Sequence, residues 1–272
     1  MAGRRKGRKG RGVALVTGAS SGIGESFARA LARDGFDLVL VARRRARLAA
    51  LARELVAAHG VAAEVLAADL ASAAGLRRVA ARIARERRLE RLVNDAGLGD
   101  FGAFARSGWP REESEIRVNV LATVRLAHAA LPGMVRRGRG AVINVSSTAA
   151  FAPCPRFAVY GATKAFVNSF SEALALELSG TGVRVQALCP GLTHTEIFAR
   201  AGTDPAGLPG FLWMEPAAVV EESLAALEGG DVLCVPGLGN RTLVSLARAL
   251  PHAASSRIVG LFSGGVKTAR QR

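Results

Sequence analysis

The chain is poor in residues that cross-link, ligate metals or anchor. Its 272 residues include only three cysteines, four histidines, two tryptophans and one tyrosine. Cys154, Cys189 and Cys234 stand far apart, with no C-x-x-C and no Cys/His cluster. That excludes a disulfide scaffold and gives no pattern for a zinc site or any other metal. An uninterrupted apolar run of about 18 residues is missing, so no spanning helix is expected. The basic N-terminus leads into a glycine-rich turn and not into an apolar stretch with a cleavage site, so no signal peptide is expected either. Taken together, these absences point to a reducing, cytoplasmic setting. Lysine is scarce too: of 37 Lys and Arg residues, only Lys6, Lys9, Lys164 and Lys267 are lysines.

What is present is globular. Half of the chain is hydrophobic and 22% is charged, enough for a buried core and too apolar for disorder over most of the length. The net charge of +15 has two local sources. Arg4, Arg5, Lys6, Arg8, Lys9 and Arg11 crowd a glycine-rich leader with no apolar periodicity. We read residues 1–12 as a disordered basic leader. Arg77 to Arg91 is arginine-rich but carries Val79, Ala80, Ile83, Ala84 and Leu89, the stripe of a helix with one solvated basic face. A nucleic-acid or membrane-surface binder is the competing reading of this charge. Single-stranded nucleic acid calls for aromatics among the cations, and none stand there.

From Val13 onward, short apolar runs alternate with helical patterns. Strands are expected at Val13–Thr17, Asp37–Ala42, Ala63–Ala67, Arg91–Asn94, Ala141–Ser146, Val183–Leu188 and Asp231–Val235. Helices are expected near 22–34, 45–58, 72–87, 112–137, 158–179 and 216–228. Several strands are too uniformly apolar to have a wet face, as in a parallel sheet covered on both sides. The rhythm predicts an α/β, doubly wound fold with a seven-stranded parallel sheet and right-handed crossovers. No linker divides it, so residues 13–272 are read as one domain. A C-terminal extension, 237–272, carries two weak helical patterns broken at Pro251 and is expected on the surface.

Thr17-Gly18-Ala19-Ser20-Ser21-Gly22-Ile23-Gly24 follows the first strand and opens the first helix. Glycines there let backbone N–H groups approach a pyrophosphate, and the helix N-terminus adds partial positive charge. The second strand ends in Ala42-Arg43-Arg44-Arg45. In dinucleotide-binding domains an acid roughly 20 residues past the glycines takes the ribose hydroxyls, whereas an arginine suits a 2′-phosphate. No acid stands here. Arg43 therefore points to NADP(H), against the alternative that the three arginines are a solvated helix start.

Tyr160 is the single tyrosine, and Lys164 is the single lysine between Lys9 and Lys267. Four residues apart on a helix, they share a face. A phenol with a pKa near 10 is a poor acid–base catalyst, and a neighbouring ammonium favours its ionised form. A packed ring and a surface charge are the alternative. Ser146-Ser147 ends the fifth strand, where side chains line a ligand crevice.

In these motifs the chain resembles the short-chain dehydrogenase/reductase family over about Val13 to Val235. The resemblance rests on the TGASSGIG turn, Asp69, Asn94-Asp95-Ala96-Gly97, Asn119, Ser147, Tyr160-x-x-x-Lys164 and Pro190-Gly191 with Thr193 and Thr195. It implies a Rossmann fold and an oxidoreductase that interconverts a carbonyl compound and an alcohol by direct hydride transfer. It makes Tyr160 the general acid or base, has Lys164 lower the tyrosine pKa and hold the nicotinamide ribose, and has Ser147 orient the carbonyl. Asn119 would hold a relay water. Gly18, Ser20, Ser21, Gly22, Ile23, Gly24, Arg43, Asp69, Leu70, Asn94, Ala96, Gly97, Pro190, Gly191, Thr193 and Thr195 would bind the cofactor beside Tyr160 and Lys164. The family commonly has Asn-Asn-Ala-Gly where this chain has Asp95 at the second position. Pairing of the crossover helices implies a homodimer or homotetramer.

Substrate recognition is expected between residues 193 and 216, where Phe198, Phe211, Leu212, Trp213 and Met214 form an apolar lid segment. Phe151, Pro153 and Phe157 would form the opposite wall. An apolar lid implies an apolar carbonyl compound, unless these residues pack on the core or a neighbouring subunit. His194 is read first as a turn residue. A non-catalytic NADP-binding sensor would lack the tyrosine or the lysine, and both are present.

Overall fold

The computed structural model describes residues 11–197, 201, 203–204, 210–249 and 267–268. Residues 1–10 of the leader, Phe198 of the lid and most of the tail beyond Ala249 lie outside them.

The chain builds β1 (Val13–Thr17), α1 (Gly22–Arg33), β2 (Asp37–Ala42), α2 (Arg45–His59), β3 (Ala63–Ala67), α3 (Ala73–Arg85) and β4 (Leu89–Asn94). Next come α4 (Trp109–Ile116), a π-helical turn (Arg117–Ala122), α5 (Thr123–Arg137), β5 (Gly140–Val145), α6 (Ala158–Glu177) and β6 (Val183–Leu188). α7 (Pro216–Gly229), β7 (Leu233–Cys234) and α8 (Leu238–Ala249) follow. The strands form one parallel sheet in the order β7-β6-β5-β4-β1-β2-β3.

All seven expected strands are present, with shifted ends. β4 starts at Leu89 because that residue pairs with Val13, so Leu89 belongs to the sheet and not to the stripe of α3. β5 stops at Val145, which frees Ser146 for the site. β7 is two residues long, since only Leu233 and Cys234 find partners, in Ala187 and Leu188.

The apolar strands fill two layers by alternation. Ala14, Val16, Leu38 and Leu40 share one core with Phe27 and Leu31 of α1 and Val219 of α7. Val13, Leu15, Val39 and Val41 share the other with Val79 and Ile83 of α3 and Leu126 of α5. Of the expected stripe, α3 buries Val79, Ala80 and Ile83, with Leu76 beside them; Ala84 is exposed, and Arg77 and Arg78 face solvent.

Trp109–Arg137 is helical throughout, and it is long and apolar enough to span a membrane by length and composition. No unbroken apolar run marks it, because Arg117 and Arg125 punctuate the sequence. Its apolar face is the one buried in the fold: Val118, Ala122, Leu126, Ala127, Ala130 and Met134. α8 lies on the surface, as expected of the tail, with most of its residues exposed. Asn240 and Val244 on one side of it are buried, while Leu238 is 78% exposed.

Strand order reverses between β1 and β4, which opens a crevice at the carboxyl ends of the strands. A buried hydrogen-bond chain sets the register there. Asn94 Nδ2 donates to Asn144 Oδ1 (2.9 Å), and Asn144 Nδ2 donates to Ser171 Oγ (3.0 Å) on α6. These two bonds tie α6 to β5 and β4, while Asn94 Oδ1 is left buried without a hydrogen-bond partner.

Candidate active site

A cavity of about 690 Å³ opens along this crevice, and its lining includes Gly18, Arg44, Asp69, Ala96, Ser147, Tyr160, Lys164 and Pro190. Its two ends differ in chemistry.

At one end lies the β1–α1 turn. Gly18 and Gly22 have φ of +71° and +60°, a region that disfavours side chains. Ser21, the N-cap of α1, makes no side-chain cap to its own helix. Its hydroxyl instead accepts from Arg44 Nη2 (2.8 Å), and Arg44 also donates to Ser20 Oγ (2.9 Å) and Ser20 O (3.2 Å). Arg43 lines the cavity but is exposed. Arg44, which the motif did not single out, is therefore the arginine locked onto the turn. Three consecutive arginines do not reveal which one points inward.

Asp69, Leu70, Ala96, Gly97, Gly191, Thr193 and Thr195 line the same cavity, with Ser20, Ser21 and Ile23. Gly24 and Asn94, both expected to hold cofactor, do not. The Asn94 amide is turned into the sheet toward Asn144, and Gly24 packs against Asp95. The N–H groups of Asp95 and Ala96 both donate to Thr17 Oγ1 at 3.0 Å, which pins this turn to the end of β1.

At the other end, Tyr160 opens α6. The turn before it holds Arg156 at φ 70°, a strained value for a non-glycine residue and one that concentrates at functional sites. Lys164 is 5% exposed, and its Nζ donates to Val145 O (2.8 Å). Ser146 Oγ donates to Lys164 O (3.0 Å), so the end of β5 grips the lysine twice. Nζ lies 5.6 Å from the Tyr160 ring centre.

The electrostatics differ from the simple expectation. Burial dominates and pushes Tyr160 up to about 12, opposed by a hydrogen bond with Ser147 and reinforced by the carboxylates of Glu115 and Asp95. Desolvation of a phenolate outweighs the hydrogen bond from Ser147 that works against it. Burial pushes Lys164 down to about 8, with Asp95 and Glu115 opposing. Burial raises Asp95 and Glu115 to about 7 each. Glu115 Oε2 accepts from Asp100 N (2.9 Å), while Oε1 is buried with no hydrogen-bond partner.

Asn119, expected to hold a relay water, spends its side chain otherwise. Its Oδ1 accepts from Leu98 N (2.9 Å), and its Nδ2 donates to Leu98 O (2.9 Å) and Thr163 Oγ1 (3.0 Å). It clamps the loop after β4 to α6 from inside the π-helical turn, a kind of helix defect frequent at functional sites. Gly99 in that loop lies against the Tyr160 ring, close enough to leave no comfortable room for a Cβ.

The remaining walls are apolar. Phe101, Val118, Phe151, Phe157, Leu192, Ile197 and Leu212 line them, and Phe157 packs at 4.7 Å from Phe101 and 5.7 Å from Tyr160. Leu243, Val244, Leu246 and Ala247 of α8 complete them. Only the weak apolar period of the tail hinted at these four. Pro153, Trp213 and Met214 are not part of the lining. Trp213 stacks on the exposed His194 ring at 4.7 Å, and Met214 accepts from Asn240 Nδ2 through sulfur (3.7 Å). Leu192–Thr193 pairs with Trp213–Met214, which ties residues 192–193 to 213–214. His194 donates its main-chain N–H to Met214 O (3.1 Å), as a turn residue would. The Phe211 side chain lies outside the described residues.

Comparison with known proteins gives a consistent result. A family model described as short chain dehydrogenase matches residues 12–206. A sulfoacetaldehyde reductase of Chromohalobacter salexigens is 40% identical over 220 residues, covering 78% of this chain and 84% of that protein. The solved structure of a short-chain dehydrogenase from Sphingobium yanoikuyae in complex with NADPH is 41% identical, with a TM-score of 0.81 over 88% of this chain and 93% of that one. The bulky-bulky ketone specific alcohol dehydrogenase of Comamonas testosteroni is 33% identical, with a TM-score of 0.76 over 88% of this chain and 92% of that one.

Proposed function

The chain belongs to the short-chain dehydrogenase family, and we propose that it is an NADPH-dependent reductase of bulky apolar ketones, or the dehydrogenase of the matching secondary alcohols. The observation that carries this reading is one cavity holding Tyr160, Ser147 and Lys164 at one end and the glycine turn with Arg44 at the other.

The donor set suits NADP(H). The uncapped start of α1 and the Ser20 and Ser21 hydroxyls present groups for a pyrophosphate. Arg43 and Arg44 present the charge for a 2′-phosphate. Arg44 already holds an anion, the Glu196 carboxylate, at 2.8 Å. When bound, the cofactor supplies the hydride.

The protein supplies the proton and the geometry. Ser147 orients the carbonyl oxygen toward Tyr160. Tyr160, kept protonated by burial, donates its proton to that oxygen as negative charge develops on it. Lys164, held by Val145 O, keeps a positive charge beside the tyrosine that loses the proton. A protonated phenol near neutral pH favours reduction, and the oxidative direction needs higher pH.

The walls select the substrate. Among the described lining residues Lys164 is the only cation away from the cofactor end. Arg156 and Arg248 stack on Phe101 and Phe151 without lining the cavity. A small sulfonated aldehyde would find no dedicated counter-charge there, whereas a bulky ketone would bury its apolar surface. Exposed Trp109, Ile116, Leu121 and Phe166 on α4, the π-helical turn and α6 support a homodimer or homotetramer. A cytoplasmic setting and one catalytic domain over 13–272 belong to the same reading.

The test is a panel of aryl, alicyclic and aliphatic ketones with sulfoacetaldehyde, followed by NADPH oxidation. Bulky ketones should show the highest kcat/KM, and NADPH should outperform NADH by about tenfold or more, the worth of one charge-assisted hydrogen bond. Sulfoacetaldehyde as the best substrate would overturn the substrate class. Tight NADPH binding without turnover of any carbonyl would favour a non-catalytic sensor.

A further inference from the structure

We infer that Glu196 is a resident competitor for the 2′-phosphate of the cofactor, and that its displacement from Arg44 couples cofactor choice to the first turn of the substrate lid. The inference rests on the NADP(H) reading above and deepens it.

The guanidinium of Arg44 is shared between two distant segments. Nε and Nη2 hold Ser20 Oγ at 3.1 and 2.9 Å, and Nη2 also holds Ser21 Oγ. Nη1 donates to Glu196 Oε2 at 2.8 Å. The other oxygen of Glu196 accepts from Arg47, one turn further along α2. Glu196 directly follows Thr195, at the start of the lid segment, 152 residues beyond Arg44.

Local charge explains the contact. α2 opens with Arg44 as its N-cap, has no acid in its first turn, and makes no side-chain cap. Cations crowding the positive end of a helix raise its energy, and an anion there lowers it. Glu196 is that anion. A phosphate offers three acceptor oxygens and more charge to the same donors, so it wins the fork of Arg44 when present. A phosphate at Arg44 would bring a second anion beside the Glu196 carboxylate, and the repulsion between the two favours its displacement. Arg44 and Glu196 side chains are 33% and 39% exposed, so their bond is weak enough to exchange. A 2′-phosphate therefore leaves Glu196 to Arg47 alone and loosens residues 195–197, and a cofactor without one leaves both ties in place.

Glu196→Gln tests this in the full chain, with NADPH, NADH, 2′,5′-ADP and 5′-AMP as probes at low ionic strength. The two nucleotides lack nicotinamide and cannot touch the lid through it. The variant should bind NADPH and 2′,5′-ADP about fivefold more tightly, the loss of roughly one partly exposed competing pair. NADH and 5′-AMP should change by less than about twofold, since they present nothing to Arg44. Hydrogen exchange gives a second readout. In the parent, 2′,5′-ADP should speed exchange of amides 195–197 and 5′-AMP should not; in Glu196→Gln these amides should exchange faster without ligand than in the parent, while His194, bonded to Met214 O, should not change. Unchanged or weaker NADPH binding, equal gains for NADH, or no ligand effect on exchange in the parent overturns the inference. Arg44→Ala separates it from the reading beneath. If that variant keeps an NADPH preference, Arg44 does not read the phosphate and the cofactor assignment to it falls. If it loses the preference while Glu196→Gln gains nothing, the competitor idea alone fails.

Discussion

Replacing Asp95 by asparagine should stabilise the protein at alkaline pH and much less in mild acid. The Asp95 carboxylate fills the space where a Cβ on Gly18 or Gly24 would fall, and the Gly24 N–H donates to it. Burial raises its pKa from 3.8 to about 7, against the pull of Lys164 and that backbone hydrogen bond. The sign follows from proton counting. As pH climbs from about 4, the unfolded chain releases this proton first, so the native state binds more protons and stability falls until pH passes about 7. At about 1.4 kcal/mol per pH unit, the full cost of ionising Asp95 in place is about 4 kcal/mol, as an upper bound. Asparagine stays neutral, keeps the shape, and can accept from the same Gly24 N–H. Glu115 has the same sign, but it is unchanged in the variant and cancels in the difference. Urea unfolding of both proteins at one concentration should therefore show Asp95→Asn more stable by about 4 kcal/mol at pH 8 and about 2 kcal/mol at pH 5. A gap that does not widen between these pH values, or a variant less stable at pH 8, would refute the reasoning.

Tyr160→Phe should lower turnover by about 10²–10⁴-fold while leaving NADPH dissociation, read by fluorescence, nearly unchanged. Retention of more than about a tenth of parent turnover would place the proton donor elsewhere. Lys164→Arg keeps the charge, but the longer planar guanidinium cannot repeat the 2.8 Å contact with Val145 O in a buried site. Its activity should fall steeply, and a silent change would make Lys164 a mere charge. Val244→Asn places an amide on the apolar α8 wall and should raise KM for a bulky ketone several-fold without moving the NADPH Kd; unchanged KM would remove α8 from the substrate site.

The order of elements was legible because buried parallel strands are apolar on both faces, so each appears as a short run bounded by turns. The Tyr160–Lys164 pair was legible because both types are rare in this chain and four residues span one helical turn. The glycine turn was legible because a backbone that must approach a phosphate excludes side chains. What the sequence could not determine depends on where side chains meet across long separations. Local sequence treats Arg43 and Arg44 alike; the partner 152 residues away, Glu196, distinguishes them. The amide of Asn119 reads as a site group, yet packing turned it onto Leu98, because a buried amide must find backbone partners. The tail reads as helical in sequence, but α8 became a wall only because the crevice offered its apolar side a place to pack. The same holds for the pKa of Tyr160. The sequence placed a cation beside a phenol, but tertiary burial set the sign of the shift, since the cost of desolvating a phenolate exceeds what the Ser147 hydrogen bond returns.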